Sequence, residues 1–535
     1  MKEFNVTGTC IPRLHYMVDI SERLCQIKEM VEKGNYFCIN KGRQYGKTTT
    51  LSLLKQKLSD EYCVFSISFE GTDSPSYESL DAIGRMFFSL LYSATKRKVE
   101  IKNLSPKAKR FLSSYDKPSV LGRFGRREKS FDVVQAISKF CILNEKPIVI
   151  FIDEVDQAGN YDSFLKFLGL LRDMYLKRDT VKTFQSVILA GVYDIKNLKL
   201  KIRPEGEHQY NSPWNIAAEF NVRMEFDAEE ISTMLSDYEK DFQTGMDIEN
   251  ISRLLEEYTG GYPFLVSRLC MIIDREVSKL PDFDLKKAWT KDGFLEAVKI
   301  ILKEENTLFD EIYKNLDEFG GMRKAIYEIL YEGKSITFNA YDKDLNIAKM
   351  FCFIKNENGK VVVANRIFEV WFYNIFVSEA SKEDTIFSEG SKDKILFIKN
   401  GELDMPLILE RFIIHFNDLY GDKDEKFVES EGRKYFLFFI KPIINGVGNY
   451  YVEAETRDER RTDVIIDYLG HQYVIELKIW HGEIYNKNGE QQISDYLDSL
   501  HNDTGYMLTF NFNKKKSSKV SKKKINGKTI YEAFV

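Results

Sequence analysis

The chain has 535 residues, too many for one compact core, and its 43% hydrophobic and 30% charged residues exclude wholesale disorder. A net charge of −5 excludes a protein that coats nucleic acid over its whole surface, so any such contact must be local. The seven cysteines contain no CxxC pair, there is no leader-like N-terminus, and no apolar run approaches the roughly 18 residues a membrane span needs. The expectation is a cytoplasmic protein with reduced thiols, no zinc site and no membrane contact.

In chain order, NYFCIN (35–40) reads as a strand and TTTLSLLKQKLSDEY (48–62) as an amphipathic helix. CVFSISF (63–69), PIVIFID (147–153) and FQSVILAGV (184–192) read as further strands. Apolar runs separated by helices predict a parallel sheet covered on both faces. The expected first domain is 1–227. Helical patterns then fill 228–305, and short helices followed by FCFIKNENGKVVVANRIFEVWFYNIF suggest a winged-helix-like unit over 306–378, its hairpin turning at NENGK. The polar stretch 379–394 reads as a linker. The last domain, 395–535, shows helical spacing at 406–420 and 424–438 and three strands, NYYVEAET, DVIIDYL and QYVIELKIW. A helix, GEQQISDYLDSL, and two strands, GYMLTFNF and KTIYEAFV, complete it, with the basic run NKKKSSKVSKKK (513–524) between the last two strands. That run is read evenly as a phosphate-contacting loop or a solvated hairpin loop.

NKGRQYGKTTTL lies between a strand and a helix, the context of a phosphate-binding loop. Residues 36–50 and 146–157 together are expected to form an ATP site. Backbone N–H groups and the helix N-terminus would surround the phosphates, with Gly42 and Gly46 letting the main chain approach. Lys47 would reach the β- and γ-phosphates, Thr48 and Asp153 would hold Mg2+, Thr49 would sit at the nucleotide, and Glu154 would orient the attacking water. Lys41 stands where the GxxxxGK[ST] pattern has its first glycine. The competing reading of KPIVIFIDEVD is a buried strand ending in a solvated acidic turn.

These segments, with ILAGVYDIKNLKLKIRPEGEHQYNSPWNIA and TGGYPFLVSRLC, resemble bacterial AAA-like ATPases near the signalling (STAND-type) branch over about residues 10–375. The resemblance implies that Gly261-Tyr262-Pro263 lies in a helical lid that senses the nucleotide. As plain structure, Gly260-Gly261 is also a good helix C-cap and Pro263 a good first helical residue. Arg203 and Arg268 are candidate γ-phosphate arginines, with a surface or packing role favoured for each.

In RRTDVIIDYLGHQYVIELKIW, Glu476 and Lys478 share one face of a strand, and Asp463 opens the strand before. Two carboxylates beside a lysine suit a hard cation, Mg2+ above softer metals, and phosphodiester chemistry. ExK alternation on a solvated strand face is the ordinary alternative. The pattern resembles the PD-(D/E)XK nuclease superfamily over about 395–535, with Asp463 and Glu476 as acids, Lys478 as the lysine, and Gln492 and Tyr496 as the QxxxY pair. Glu431 falls where some members carry another acid, and Arg461-Thr462 stands where the pattern has Pro.

The expected fold class is thus multidomain α/β: a P-loop parallel-sheet ATPase core with helical lid and winged helix, followed by a PD-(D/E)XK-like α/β domain. The expected activity is an ATP- and Mg2+-dependent ATPase coupled to a nuclease acting on nucleic acid, DNA favoured over RNA, with homo-oligomerisation through the ATPase domain left open. The alternative is a nucleotide-gated switch whose C-terminal domain binds without cleaving.

Overall fold

The computed structural model describes residues 2–96, 101–115, 132–159, 161–192, 214, 216–331, 334, 336–380, 394–420, 429–444, 448–455, 461–480, 489–494, 497–498, 502–511 and 520–535. They pack as two compact units. One comprises Met1–Gln243, Gly261–Arg268 and Met350–Cys352; the other comprises Thr244–Gly260, Leu269–Lys349 and Phe353–Val535.

In the first unit, β1 (Phe37–Asn40), β2 (Cys63–Ser68), β3 (Ile148–Asp153) and β4 (Ser186–Gly191) form a parallel sheet ordered β1-β4-β3-β2. Every residue of β3 and β4 is buried, which explains why both read as unbroken apolar runs rather than alternating ones. The helices are α1 (Ser21–Glu32), α2 (Lys47–Leu58), α3 (Leu80–Thr95), α4 (Pro106–Ser113), α5 (Val133–Leu143) and α6 (Asp162–Leu176). Phe65, Phe87, Phe88, Phe140, Ile150 and Phe167 belong to one continuous core between helices α3 to α6 and the sheet. At about 2–3 kcal/mol for each fully buried ring, this cluster holds the sheet against the helices. The parallel arrangement brings the carboxyl ends of β1 and β3 to the same sheet edge, the crevice where open α/β sheets bind ligands. A further helix, Ala228–Phe242, starts at a capping box in which Asp227 and Glu230 each accept the other's backbone N–H.

The second unit begins with helix Ile248–Thr259, closed by Gly260 in the left-handed region (φ 59°). Its helical part includes Lys291–Ile301, Thr307–Glu318, Gly320–Tyr331 and the long Arg366–Ala380. Before that last helix, β5 (Ile354–Glu357) and β6 (Lys360–Val363) form an antiparallel hairpin at the NENGK turn. Asn358 (φ 50°) and Gly359 (φ 84°) supply the two left-handed residues of a type I′ turn. Arg366 opens the following helix, paired with Glu257 and stacked 4.8 Å over the Tyr258 ring.

After the short hairpin of β7 (Ile398–Lys399) and β8 (Glu402–Leu403) come helices Met405–Tyr420 and Glu429–Ile444. The six-stranded sheet follows: β9 (Gly448–Glu455), β10 (Arg461–Tyr468), β11 (His471–Ile479), β12 (Thr504–Phe510), β13 (Val520–Ile525) and β14 (Lys528–Phe534). Its order is β13-β14-β12-β11-β10-β9, with β11, β12 and β14 parallel to one another and β13, β10 and β9 joined antiparallel on the two flanks. Gly432 lets helix Glu429–Ile444 lie against the Phe510 ring, since a Cβ there would fall 2.5 Å from its Cζ. Gly505, on the opposite face of β12, admits Ile493 and Leu497, whose side chains stand 2.9 Å from where its Cβ would be.

Two sequence expectations change here. The basic run is not all loop, because 520–524 belongs to β13, paired with β14. The strand was hidden by Lys522, Lys523 and Lys524, which line an exposed edge where charge blocks further pairing. The helix expected at 424–438 is described from Glu429, 424–428 lying outside the described residues, and it continues to Ile444 with Pro442 within it. Residues 513–519 lie outside the described residues, as does the expected linker except 379–380, which end a helix, and 394. Among the described residues, no helix is long and apolar enough to cross a membrane.

Candidate functional site

The chain leaving β1 must turn back over the sheet edge and enter α2. Gln44 (φ 57°) and Gly46 (φ 71°) take left-handed conformations to do so, and Gly46 is the N-cap of α2. Gly42 is a glycine for a different reason. A Cβ at that position would sit 3.2 Å from the Phe351 carbonyl oxygen and 3.6 Å from both Cys352 Sγ and the Tyr262 hydroxyl. Crowding falls at position 42, so Lys41 tolerates its side chain one residue earlier. The Lys41 N–H donates to the Gly191 carbonyl (3.2 Å) and its ammonium pairs with Glu225 (2.7 Å), 5.4 Å from the Tyr45 ring centre.

Lys47 is buried under the loop, its ammonium donating to the carbonyls of Lys41 and Gly42, each at 2.8 Å. Two of its three N–H donors are fixed in this way, which aims the amine along the loop without consuming it. Burial lowers its proton affinity, while Glu154, Asp156 and Asp153 act against that. The Thr48 hydroxyl donates to Asp153 Oδ2 (2.7 Å), and Asp153 Oδ1 accepts the Glu154 N–H (3.0 Å). Glu154 holds a left-handed backbone (φ 52°), and burial, followed by the Asp153 charge, raises its carboxyl above the ordinary range. Asp156 is turned inward to accept the Val192 N–H (2.6 Å).

The structure therefore brings Gly42, Gly46, Lys47, Thr48, Asp153 and Glu154 to one sheet edge. Thr49 faces elsewhere, its hydroxyl accepting the Cys10 N–H (3.1 Å). The oxygens of Thr48 and Asp153 are hard donors already in contact, amid more carboxylates than Lys47 can neutralise. That donor set fits Mg2+.

The Gly261-Tyr262-Pro263 segment belongs to this site. Gly261 is left-handed (φ 70°), and any Cβ would be forced into the Phe226 carbonyl and to within 2.6 Å of its nitrogen. The Phe226 N–H in turn donates to the Gly261 carbonyl (2.9 Å). Tyr262 is then held so that its hydroxyl donates to the Arg43 carbonyl (2.6 Å), its ring edge-on to Tyr45 at 4.4 Å. Pro263 is the first residue of helix Pro263–Arg275, as a proline at N1 should be. Sequence reading missed Tyr45, Glu225 and Cys352, whose thiol accepts a hydrogen bond from the Gly42 N–H and is pushed up by burial. Only the loop's closed shape reveals them. Arg203 lies outside the described residues, and Arg268 lies within helix Pro263–Arg275.

In the second unit, Glu476 and Lys478 lie on the same face of β11 and form an ion pair of 2.8 Å, with Glu476 1% exposed. On β10, Val464 is opposite Ile475, so Asp463 and Glu476 adjoin that pair on the two strands. Gly489, starting the helix at 489–494, covers the Lys478 stem, 3.5 Å separating its Cβ direction from Lys478 Cγ. Gln492 is on the same helix. The side chains of Asp463 and Glu431 and the whole of Tyr496 lie outside the described residues. No group of three or more His, Cys, Asp or Glu side chains suited to a metal occurs among the described residues.

Among solved structures, the chain is similar to the Walker-type ATPase PABY2304 of Pyrococcus abyssi, at 15% identity and TM-score 0.43, covering 69% of this chain and 99% of that one. It is similar to the ORC2 protein of Aeropyrum pernix in ADPNP–ADP complexes, at 11% identity and TM-score 0.37, covering 71% and 98%. The RuvB Holliday junction branch migration motor of Thermotoga maritima gives 11% identity and TM-score 0.30, covering 65% and 92%. No curated protein matches the sequence significantly. Residues 15–373 match the family pattern of the AAA-like domain, more than half of the chain, and the chain belongs to that family of P-loop ATPase domains.

Proposed function

We propose that this AAA-like protein hydrolyses ATP with Mg2+ and uses the nucleotide state to control a phosphodiesterase site on the C-terminal sheet, acting on nucleic acid and on DNA in preference to RNA. The domain plan behind this reading is 1–227 ATPase core, 228–305 lid, 306–378 winged helix, 379–394 linker and 395–535 PD-(D/E)XK-like nuclease.

On the ATPase side, Lys47 and the loop amides would bind the β- and γ-phosphates, and Thr48 and Asp153 would hold Mg2+, which would supply charge neutralisation there. Glu154, with its carboxyl raised by burial and by Asp153, accepts a hydrogen bond from the attacking water and orients it.

The observation that carries the nuclease reading is the buried Glu476–Lys478 pair (2.8 Å), in a sheet whose register runs toward Asp463. A carboxylate buried at a strand centre costs several kcal/mol unless it is paired, and the 1% exposure of Glu476 supports a built site over a solvated strand face. Glu476 and Asp463 would hold a divalent cation, which supplies Lewis acidity and a water of lowered pKa. Lys478 then stabilises the charge that builds on the phosphate. Gln492 and Tyr496, the QxxxY pair of the sequence, would complete the site.

The same pair also supports a second reading, because a Glu476 already neutralised by Lys478 suits a domain that binds without cutting. Incubating wild type, Lys478→Ala and Lys47→Ala with labelled single- and double-stranded DNA and RNA separates the two. Each reaction contains Mg2+ or Mn2+, with and without ATP. Cleavage lost in Lys478→Ala is expected for the nuclease, and loss of its ATP dependence in Lys47→Ala for the coupling. Binding without cleavage by folded wild type under every condition favours the switch and ends the nuclease reading.

A further inference from the structure

Glu154 carries the water-orienting carboxylate in the reading above, yet its backbone is left-handed (φ 52°), a conformation that a residue with a side chain keeps only where its surroundings enforce it. Behind it, the Glu154 N–H donates to Asp153 Oδ1 (3.0 Å). Ahead of it, the chain enters the single helical turn Val155–Ala158, with Val155 buried. Asp156 fastens that turn from the far side: its Oδ2 accepts the Val192 N–H at 2.6 Å, one residue past the end of β4. A carboxylate accepting a backbone N–H makes the stronger, charge-assisted kind of hydrogen bond. The approach is close enough to dictate the neighbouring residue. A Cβ on Gly191 would stand 2.9 Å from Asp156 Oδ1 and 2.9 Å from Val155 Cγ2, and Gly191 has no left-handed backbone that would call for glycine on its own account. The Gly191 carbonyl in turn accepts the Lys41 N–H (3.2 Å) at the start of the nucleotide loop. The end of β4 thus joins that loop on one side to the turn bearing Glu154 on the other.

We propose that Asp156 is a positioning residue for ATP hydrolysis: by gripping the Val192 N–H it fixes the turn that aims Glu154, and through Gly191 it ties that turn to the nucleotide loop. This role rests on the reading of Glu154 as the water-orienting carboxylate, and it adds a residue that acts through Glu154 rather than on the nucleotide.

The test is steady-state ATP hydrolysis with Mg2+ by the full-length protein, in wild type, Asp156→Ala, Asp156→Asn, Gly191→Ala, Glu154→Gln and the Glu154→Gln/Asp156→Ala pair. Thermal unfolding is the folding control. Affinity for a fluorescent ATP analogue, and hydrogen exchange of the β4 segment in the nucleotide-free protein, are read beside it. A misaimed carboxylate costs turnover and not binding, so Asp156→Ala should lower kcat about ten- to a hundred-fold while analogue affinity stays within about two-fold. The Val192 amide should exchange faster. Asp156→Asn, which keeps an acceptor oxygen, should recover most of kcat. Gly191→Ala pushes the carboxylate aside with Asp156 intact and should lose kcat in the same way, whether or not Asp156→Ala folds. In the Glu154→Gln background there is no carboxylate left to aim, so adding Asp156→Ala should leave kcat unchanged. Wild-type kcat in Asp156→Ala or Gly191→Ala, a matching fall in analogue affinity, or equal loss of kcat with and without Glu154 overturns the positioning role and leaves the Glu154 reading intact. Wild-type kcat in Glu154→Gln, or no hydrolysis by wild type, overturns the Glu154 reading and the positioning role with it.

Discussion

Gly261→Ala is the sharpest probe of how the Gly261-Tyr262-Pro263 segment is tied to the loop before α2. Alanine in the left-handed region costs about 1–2 kcal/mol from its own backbone. At Gly261 the new Cβ also collides with the Phe226 carbonyl and stands 2.6 Å from the Phe226 nitrogen, so one strand of chain must move. Movement breaks the 2.9 Å hydrogen bond from the Phe226 N–H to the Gly261 carbonyl, worth about 1 kcal/mol net. The expected total is about 2–4 kcal/mol. Because the next residue, Tyr262, donates to the Arg43 carbonyl of the nucleotide loop, ATP affinity should fall with stability, by about five- to ten-fold if that one hydrogen bond is lost. Gly71→Ala is the matched control. Gly71 has nearly the same φ (74°) but nothing within 4 Å of its Cβ position, so it should lose only the backbone part and keep wild-type ATP affinity. Thermal unfolding and the affinity for a fluorescent ATP analogue read both effects. Equal destabilisation of the two variants, or unchanged ATP affinity in Gly261→Ala, would refute the reasoning.

Glu154→Gln should bind ATP as wild type does but hydrolyse it at least ten-fold more slowly in a phosphate-release assay, on the order of the loss expected for a general base. Burial and Asp153 raise the Glu154 pKa above its unfolded value, so the protonated form is favoured in the fold and stability drains away as pH rises through the raised pKa; Glu154→Gln should lack that loss in pH-resolved melting. Lys441, donating to Asn374 and 5.3 Å from the Tyr450 ring, is lowered to about 8, chiefly by burial. Its folded pKa lies below the unfolded one, so the penalty of burying its charge is complete below pH 8 and relieved as pH climbs toward 10.5. Lys441→Met should therefore gain on the order of 1–3 kcal/mol over wild type at pH 7 and less at pH 10, and a pH-independent difference in denaturant midpoint would count against this account. Gly432→Ala drives a methyl into the Phe510 ring and should cost about 1–3 kcal/mol; a melting temperature matching wild type would mean the helix shifts freely there.

The two signals that survived from sequence to structure are local ones. A glycine-bounded loop between a strand and a helix, and an apolar strand ending in Asp153-Glu154, declare themselves because backbone geometry and strand burial act over a few residues. The same holds for Asn358-Gly359, where only left-handed residues make the turn. Sequence alone also put Glu476 and Lys478 on one face, since strand periodicity is two. It could not decide that Glu476 is 1% exposed or that Lys478 pairs with it there, because strand order across a mixed sheet is set by packing between distant segments. Nor could it explain why the glycine belongs at position 42 and a lysine at 41. Chain-distant Tyr262, Phe351 and Cys352 crowd the one, and Glu225 receives the other. Pattern recognises residues whose conformation is their own; tertiary structure decides for those whose partners lie hundreds of positions away.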